Sequence, residues 1–242
     1  MSKASIANDF GTIEKMWADT EFVDLRRRIY EHLVRYKYSY NFTWLGRAII
    51  QMPDDILAIQ ELIFQIKPDL IVETGVAHGG SMALSASMLD FLGDEGEVIG
   101  IDIEIRPHNR KALEEHPLFT RMHLIEGSSV DQNVYAQVSS RAKHRKRVMV
   151  LLDSDHTHDH VLHELRLYSA LVTKSSYLVV FDTVVDELSA SAFPDRPWGP
   201  GNSPKSAIDA FLRECHRFEI DWNISARLPF SSAPSGFLKC VE

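Results

Sequence analysis

The chain has 242 residues, 45% of them apolar and 25% charged, and a formal net charge of −8. That length holds one α/β domain with a sizeable core, and the acidic balance argues against wholesale nucleic-acid binding through a basic surface. Cys215 and Cys240 are too few for a disulfide framework, the first ten residues lack the apolar stretch of a secretory leader, and no apolar run approaches the roughly 20 residues of a membrane span, so a soluble, cytoplasmic protein is expected.

Residues 12 to 37 read as helical, with Leu25, Ile29, Leu33 and Tyr36 recurring at helical spacing. Arg26, Arg27 and Arg28 lie between them and are expected on a solvated face, the rival reading being contact with an acidic substrate. An alternating aromatic stretch follows, Tyr36, Tyr38, Tyr40, Phe42 and Trp44. Such residues serve either as core or as a cover for a cofactor or sugar ring. Pro53 and the acids Asp54 and Asp55 open the next helix, where a preset φ and negative charge suit the first turn. Its buried stripe is Ile56, Ile59, Ile63 and Ile66.

The stretch Leu70-Ile-Val-Glu-Thr-Gly-Val-Ala-His-Gly-Gly-Ser81 comes next. It reads as a buried strand that ends in glycines and opens a helix, the ligand end of a doubly wound sheet. The spacing does not fit the Gly-x-Gly-x-x-Gly of dinucleotide sites, which argues against a dehydrogenase. Glu-x-Gly-x-x-x-Gly-Gly-Ser instead resembles the first motif of class I S-adenosylmethionine-dependent methyltransferases.

Four further apolar runs follow, each ending in an acid or a polar turn. They are Val98 to Asp102, Met122 to Glu126 with Gly127-Ser128-Ser129 after it, Val148 to Asp153, and Tyr177 to Asp182. Helical segments fall near 107–115, 131–143 and 157–171. The alternation predicts a parallel sheet covered on both faces, with Glu73, Asp102, Asp153 and Asp182 along one rim. Residues 184–204, rich in Pro and Gly, read as a lid-like loop over that rim. A helix over 205–214 and an antiparallel pair, Phe218 to Trp222 and Gly236 to Val241, close the chain.

At the second strand's end, Asp102 suits a ribose diol. In Asp153-Ser-Asp-His-Thr-His-Asp-His160, a carboxylate beside His156 suits a hard metal with a general base. His156, His158, Asp159 and His160 offer the alternative of a two-His, one-carboxylate iron site and a hydroxylase. His158 and His160 are otherwise solvated helix-start residues. Asp153 and Asp182, at adjacent strand ends, can share Mg²⁺ with a substrate hydroxyl.

Trp44-Leu-Gly46, Pro53-x-Asp55, Pro68-Asp69-x-Ile71-Val-Glu-Thr-Gly75, His78-Gly-Gly-Ser81, Leu152-Asp-Ser-Asp-His156, Asp182-Thr183 and Trp198-Gly-Pro-Gly201 together resemble the cephalosporin hydroxylase/rhamnosyl O-methyltransferase family. The resemblance runs from about residue 40 to the C-terminus. It implies a Rossmann-like class I methyltransferase sheet of seven mostly parallel strands with a C-terminal antiparallel pair. It also implies S-adenosylmethionine as donor and a hydroxyl of a sugar or small natural product as acceptor. Gly75, Gly79, Gly80 and Ser81 would shape the methionine side of the donor site, and Glu73, His78 and Asp153 would also belong to the donor site. Asp102 would hold the ribose, and Ser128 and Ser129 would lie near the adenine. Mg²⁺ would be held by Asp153 and Asp182, with His156 as base. The family commonly carries Glu-Asp where this chain has Phe181-Asp182, so Thr183, Asp155 or Asp186 is left to complete the ligand set. A partner protein that keeps the fold without turnover is the remaining alternative. Residues 1–52 read as an N-terminal helical and aromatic cap on a catalytic domain of residues 53–242, and a homo-oligomer is expected.

Overall fold

In a computed structural model of the chain, residues 10–93 and 95–242 are described. Residues 1–9, the stretch expected to lack a leader's apolar core, lie outside them. Two helices come first, α1 (Phe10–Ala18) and α2 (Thr20–Arg35). The single helix expected over residues 12 to 37 is instead broken at Asp19, whose carboxylate caps α2 by accepting from the backbone N–H groups of Glu21 and Phe22. A short antiparallel pair, β1 (Phe42–Trp44) and β2 (Arg47–Ile49), leads to α3 (Pro53–Ile66).

The central sheet then builds in alternation. Its members are β3 (Leu70–Thr74), α4 (Gly80–Leu92), β4 (Glu97–Asp102), α5 (Pro107–Glu114), β5 (Met122–Glu126), α6 (Gln132–Ala142), β6 (Val148–Leu152), α7 (His158–Tyr168) and β7 (Tyr177–Val180). The chain ends with α8 (Pro204–Glu214), β8 (Phe218–Ile220), the short α9 (Trp222–Ser225) and β9 (Phe237–Cys240). Strand order is β5-β4-β3-β6-β7-β9-β8. The first five strands are parallel, and β9 runs antiparallel between β7 and β8. The closing pair is thus no tight hairpin, because α9 and a loop intervene.

Alternate residues of each strand feed two cores, as the pleat requires. Ile71, Met149, Leu151 and Val179 meet α3 and α4 through Ile59, Ile63, Met82 and Leu89. Val72, Val150, Leu152 and Leu178 meet α7 and α8 through Leu165, Tyr168, Ile208 and Phe211. Full burial of one such side chain contributes about 1.5–3 kcal/mol, which is why the β3 and β6 runs are apolar with hardly an interruption. Cys240 is buried, Cys215 partly so, and both are free thiols.

A third, smaller core corrects the reading of α2. Tyr30 and Met52 pack with Val184 and Leu188, joined by Leu33, Val34 and Phe193. The N-terminal helix and the segment after β7 therefore form one roof. Arg26 belongs to its inner face rather than to solvent. It is 6% exposed, pairs with Glu187, donates to the Pro229 carbonyl at 3.2 Å and lies 5.0 Å above the Trp17 ring. Leu25 and Ile29, expected inside, stay exposed. An apolar stripe on a helix gives its phase only when the partner surface is apolar throughout, and here that surface supplies Glu187. Among the described residues, no helix is long and apolar enough to cross a membrane.

Candidate active site

Register brings the site together. Thr74 pairs with Leu152, so Gly75 and Asp153 meet just beyond the strand ends. A Cβ on Gly75 would lie 1.9 Å from the Asp153 carbonyl oxygen, and its φ of +91° is one that side chains resist. Leu152 in turn pairs with Val180, and the Phe181 N–H donates to the Leu152 carbonyl, which sets Asp182 one residue beyond Asp153. Asp182 itself has φ 56°. Left-handed backbone in a residue with a side chain costs about 1–3 kcal/mol and concentrates at functional sites.

A cavity of about 780 Å³ opens over these strand ends. Its floor holds Gly75, Gly80, Ser81, Asp153, His156 and Asp182. Gln51 and Tyr40 come from the N-terminal segment, and Phe193, Arg196 and Trp198 from the segment after β7. One ligand atom each from Asp153, His156 and Asp182 lie within 4.8 Å of one another. His156 Nε2 is 3.1 Å from Asp182 Oδ2, and the edge-on ring of Trp198 lies 4.8 Å from the imidazole centre.

Four carboxyl groups share this end of the sheet. Burial, then Asp182, Glu73 and Asp55, pushes the Asp153 carboxyl well above the usual carboxylate range. Burial pushes Glu73 up to about 8, against the hydrogen bond donated by Ser81 Oγ at 2.9 Å. Asp55, held by the hydroxyls of Ser231 and Ser232 and the Ser232 N–H, is pushed by burial to about 7. So much confined acidity suits a cation. The two carboxylates Asp153 and Asp182 fit a hard dication such as Mg²⁺, with the imidazole at hand.

The remaining expected site residues fall into two groups. Gly75, His78, Gly80 and Ser81 line the cavity; Glu73, Gly79, Asp102, Ser128 and Ser129 do not. Glu73 is 1% exposed and meets Ser81, so it acts on the cavity through the glycine turn. Asp102 braces the same turn, its Oδ2 accepting from the Val76 and Ala77 N–H groups at 2.9 and 3.0 Å. Ser129 is turned to His160 Nε2 at 3.1 Å. As a metal ligand Thr183 is corrected: it is 1% exposed, and its hydroxyl accepts from the Ser235 N–H. Phe181 is buried in the core and offers an ion nothing. Asp155 is occupied by the Thr157 hydroxyl and N–H, and Asp186 by Ser203 and the Gly201 N–H.

The histidine cluster also resolves. His158 Nδ1 meets Ser206 Oγ at 2.8 Å, while His160 Nε2 lies between Ser129, Ser154 and Glu164. Neither is the solvated residue expected, and they do not converge with His156 on one iron. Sequence reasoning missed the Arg47 brace: its guanidinium donates to the His78 carbonyl at 2.6 and 2.9 Å and to Asn109, which donates to the Ala77 carbonyl. No local pattern signals it, because the three residues lie on separate elements.

Comparison with known proteins places this architecture. The rhamnosyl O-methyltransferase/CmcI family pattern matches residues 36–241. A rhamnosyl O-methyltransferase of Mycobacterium tuberculosis (strain ATCC 25618 / H37Rv) is 28% identical over 199 residues, 81% of this chain and 77% of the relative. The Mycobacterium leprae (strain TN) protein of that description is 29% identical, covering 81% of this chain and 82% of its own length. The structure of CmcI with Mg and SAM superposes with a TM-score of 0.56 at 17% identity, over 84% of this chain and 78% of that one, and so shares the fold. The chain belongs to the rhamnosyl O-methyltransferase/CmcI family and, with it, to the S-adenosylmethionine-dependent O-methyltransferases.

Proposed function

We propose that this enzyme moves the methyl group of S-adenosylmethionine to a hydroxyl of a saccharide or small natural product, aided by a divalent cation. The juxtaposition of Asp153, His156 and Asp182 within 4.8 Å at the edge of the glycine turn carries this reading. The relatives' rhamnosyl acceptor and the rings of Tyr40 and Trp198 on the cavity wall support a sugar.

Asp153 and Asp182 would hold Mg²⁺, which when bound lowers the pKa of a hydroxyl beside it. The His156 imidazole accepts the hydroxyl proton as the oxygen attacks the methyl carbon; the new O–C bond forms while the C–S bond breaks and S-adenosylhomocysteine leaves. Asp182, 3.1 Å from Nε2, stabilises the imidazolium. Trp198 steadies the ring, and the glycine turn, braced by Asp102, positions the donor. Residues up to 52 and the 184–204 segment act as cap and lid, excluding water. The exposed Leu25 and Ile29 favour a homo-oligomer, to be read by light scattering.

Calorimetry with S-adenosylhomocysteine and NAD⁺, followed by labelled methyl transfer to a panel of hydroxylated sugars with and without Mg²⁺, tests the reading. Binding of S-adenosylhomocysteine and Mg²⁺-stimulated transfer to a sugar are expected. Binding of NAD⁺ alone would overturn it.

A further inference from the structure

Two cations line the cavity without a carboxylate partner. Lys37 lies between α2 and β1, and Arg196 in the segment after β7. Each is set against an aromatic ring of the same cavity: Lys37 Nζ is 5.9 Å from the centre of Tyr40, and Arg196 Cζ is 5.0 Å from that of Trp198. Among the described residues, neither side chain forms a hydrogen bond or an ion pair. The chain carries 34 acidic and 26 basic side chains, so partners are not scarce. Even Asp195, which adjoins Arg196 and lines the cavity, is not engaged by it. A guanidinium over a ring face keeps N–H groups to donate, and its fork matches the oxygens of a carboxylate or phosphate.

Their placement indicates which molecule brings the anion. The residues expected to hold the donor, Gly75, Gly80 and Ser81, lie on the floor, whereas Lys37 and Arg196 belong to the cap and the lid. Trp198 joins the lid to the chemistry: its ring centre is 4.8 Å from that of the His156 imidazole and 5.0 Å from Arg196 Cζ. One ring therefore separates the proposed base from the guanidinium. A pyranose is of similar breadth, so a sugar with one hydroxyl at His156 reaches Arg196 with a substituent of the same ring. A neutral sugar can stack on Tyr40 and Trp198 with no charge beside them. Two unpaired cations at those rings fit a sugar that carries a negative group.

We propose that the acceptor is an anionic sugar whose carboxylate or phosphate is received by Arg196 and Lys37, an inference that rests on the saccharide reading above. The test measures methyl transfer, with Mg²⁺ present, to glucose, galactose and rhamnose and to glucuronate, galacturonate, glucose 6-phosphate and rhamnose 1-phosphate. For the best anionic sugar, kcat/KM should exceed that of its neutral parent by about 10-fold or more, the worth of one hydrogen bond between charged groups. The uronates and the sugar phosphates tell carboxylate from phosphate. The double variant Lys37→Gln/Arg196→Gln should bring the ratio to about one, whereas Arg196→Lys, which keeps the charge, should retain most of it. The ratio is read because Arg196 lies over Trp198, and its loss slows every acceptor if it disturbs His156. Calorimetry should show wild-type affinity of the double variant for S-adenosylhomocysteine. Equal rates for the two classes, a preference for neutral sugars, or a ratio unmoved in the double variant would overturn the inference and leave methyl transfer intact. So would a loss of S-adenosylhomocysteine affinity there, which would give the cations to the donor's carboxylate. If wild type binds S-adenosylhomocysteine but methylates no sugar of either class, the saccharide reading falls and takes this inference with it.

Discussion

His156 Nε2 stands 3.1 Å from Asp182 Oδ2, joining the residues that follow β6 to those that follow β7. Neither residue belongs to a strand. Each lies just past one, on irregular backbone where a side chain can be aimed at a ligand, and parallel pairing of Leu152 with Val180 holds the two turns side by side. The catalytic proposal therefore depends on sheet register as much as on side-chain identity.

Glu73 predicts a pH dependence of stability. An unfolded glutamate releases its proton near pH 4.5, and the folded one, desolvated, near 8. Between those values the unfolded chain binds fewer protons, so stability is full below about 4.5 and declines as pH rises through 8. Asp55 adds a decline of the same sign that ends near pH 7. Urea unfolding of the metal-free protein should show stability falling from pH 5 to 8. Glu73→Gln should make the slope between pH 7 and 8 shallower, where Asp55 contributes little and the raised Asp153 carboxyl adds a decline of the same sign. An unchanged slope there would place the titration elsewhere.

His160 should matter for stability and little for chemistry. It links Ser129 and Ser154 to Glu164, whose carboxylate is fully buried and already has one oxygen without a partner. Removing a partner from a buried polar group costs about 1–3 kcal/mol. His160→Ala should lose roughly that amount in urea unfolding while keeping kcat within about two- to three-fold of wild type. A variant as stable as wild type would mean that water replaces the imidazole without loss.

How far this site was legible in the sequence depended on what kind of force places each residue. The five parallel strands were plain because burial on both faces demands unbroken apolar runs, and right-handed crossovers then carry Asp153 and Asp182 to one rim. Arg26, Arg47 and Asn109 were not legible. Their roles are polar contacts between distant elements, Arg26 with Glu187 and Arg47 with the glycine turn, and no period in the sequence encodes those. Thr183, expected to help complete the ligand set, does not face the site. The left-handed φ of Asp182 redirects the chain, and the threonine turns inward to Ser235.

Asp182 should govern the response to metal. Asparagine tolerates the left-handed backbone while removing the charge, so Asp182→Asn isolates electrostatics from strain. Wild type treated with EDTA should lose methyl transfer and regain it with Mg²⁺. Asp182→Asn should be inactive or nearly so at any Mg²⁺ concentration, with an unchanged circular dichroism spectrum. Full activity of the EDTA-treated wild type would remove the cation from the mechanism.

The sharpest prediction concerns His156. Transfer from a sulfonium to a hydroxyl requires the oxygen to shed its proton as it attacks, and a sugar hydroxyl is a poor nucleophile at neutral pH. Histidine titrates near that range, and general-base help is typically worth about 10²–10⁴-fold. Phe181 lies in the core and contributes no ligand, so the ion rests on Asp153 and Asp182 and a larger share of the activation falls to the imidazole. His156→Ala should therefore lower kcat by roughly 10²-fold or more, while S-adenosylhomocysteine affinity stays close to wild type, because the glycine turn and Asp102 are untouched. Trp198 rests edge-on against the imidazole, so Trp198→Ala should lower kcat by a smaller factor through loss of ring orientation. Rates and affinities measured from pH 6 to 9 separate the outcomes. If His156→Ala keeps near-normal kcat across that range, the proton leaves by another route, and Asp153 and Asp182 become the groups to substitute next.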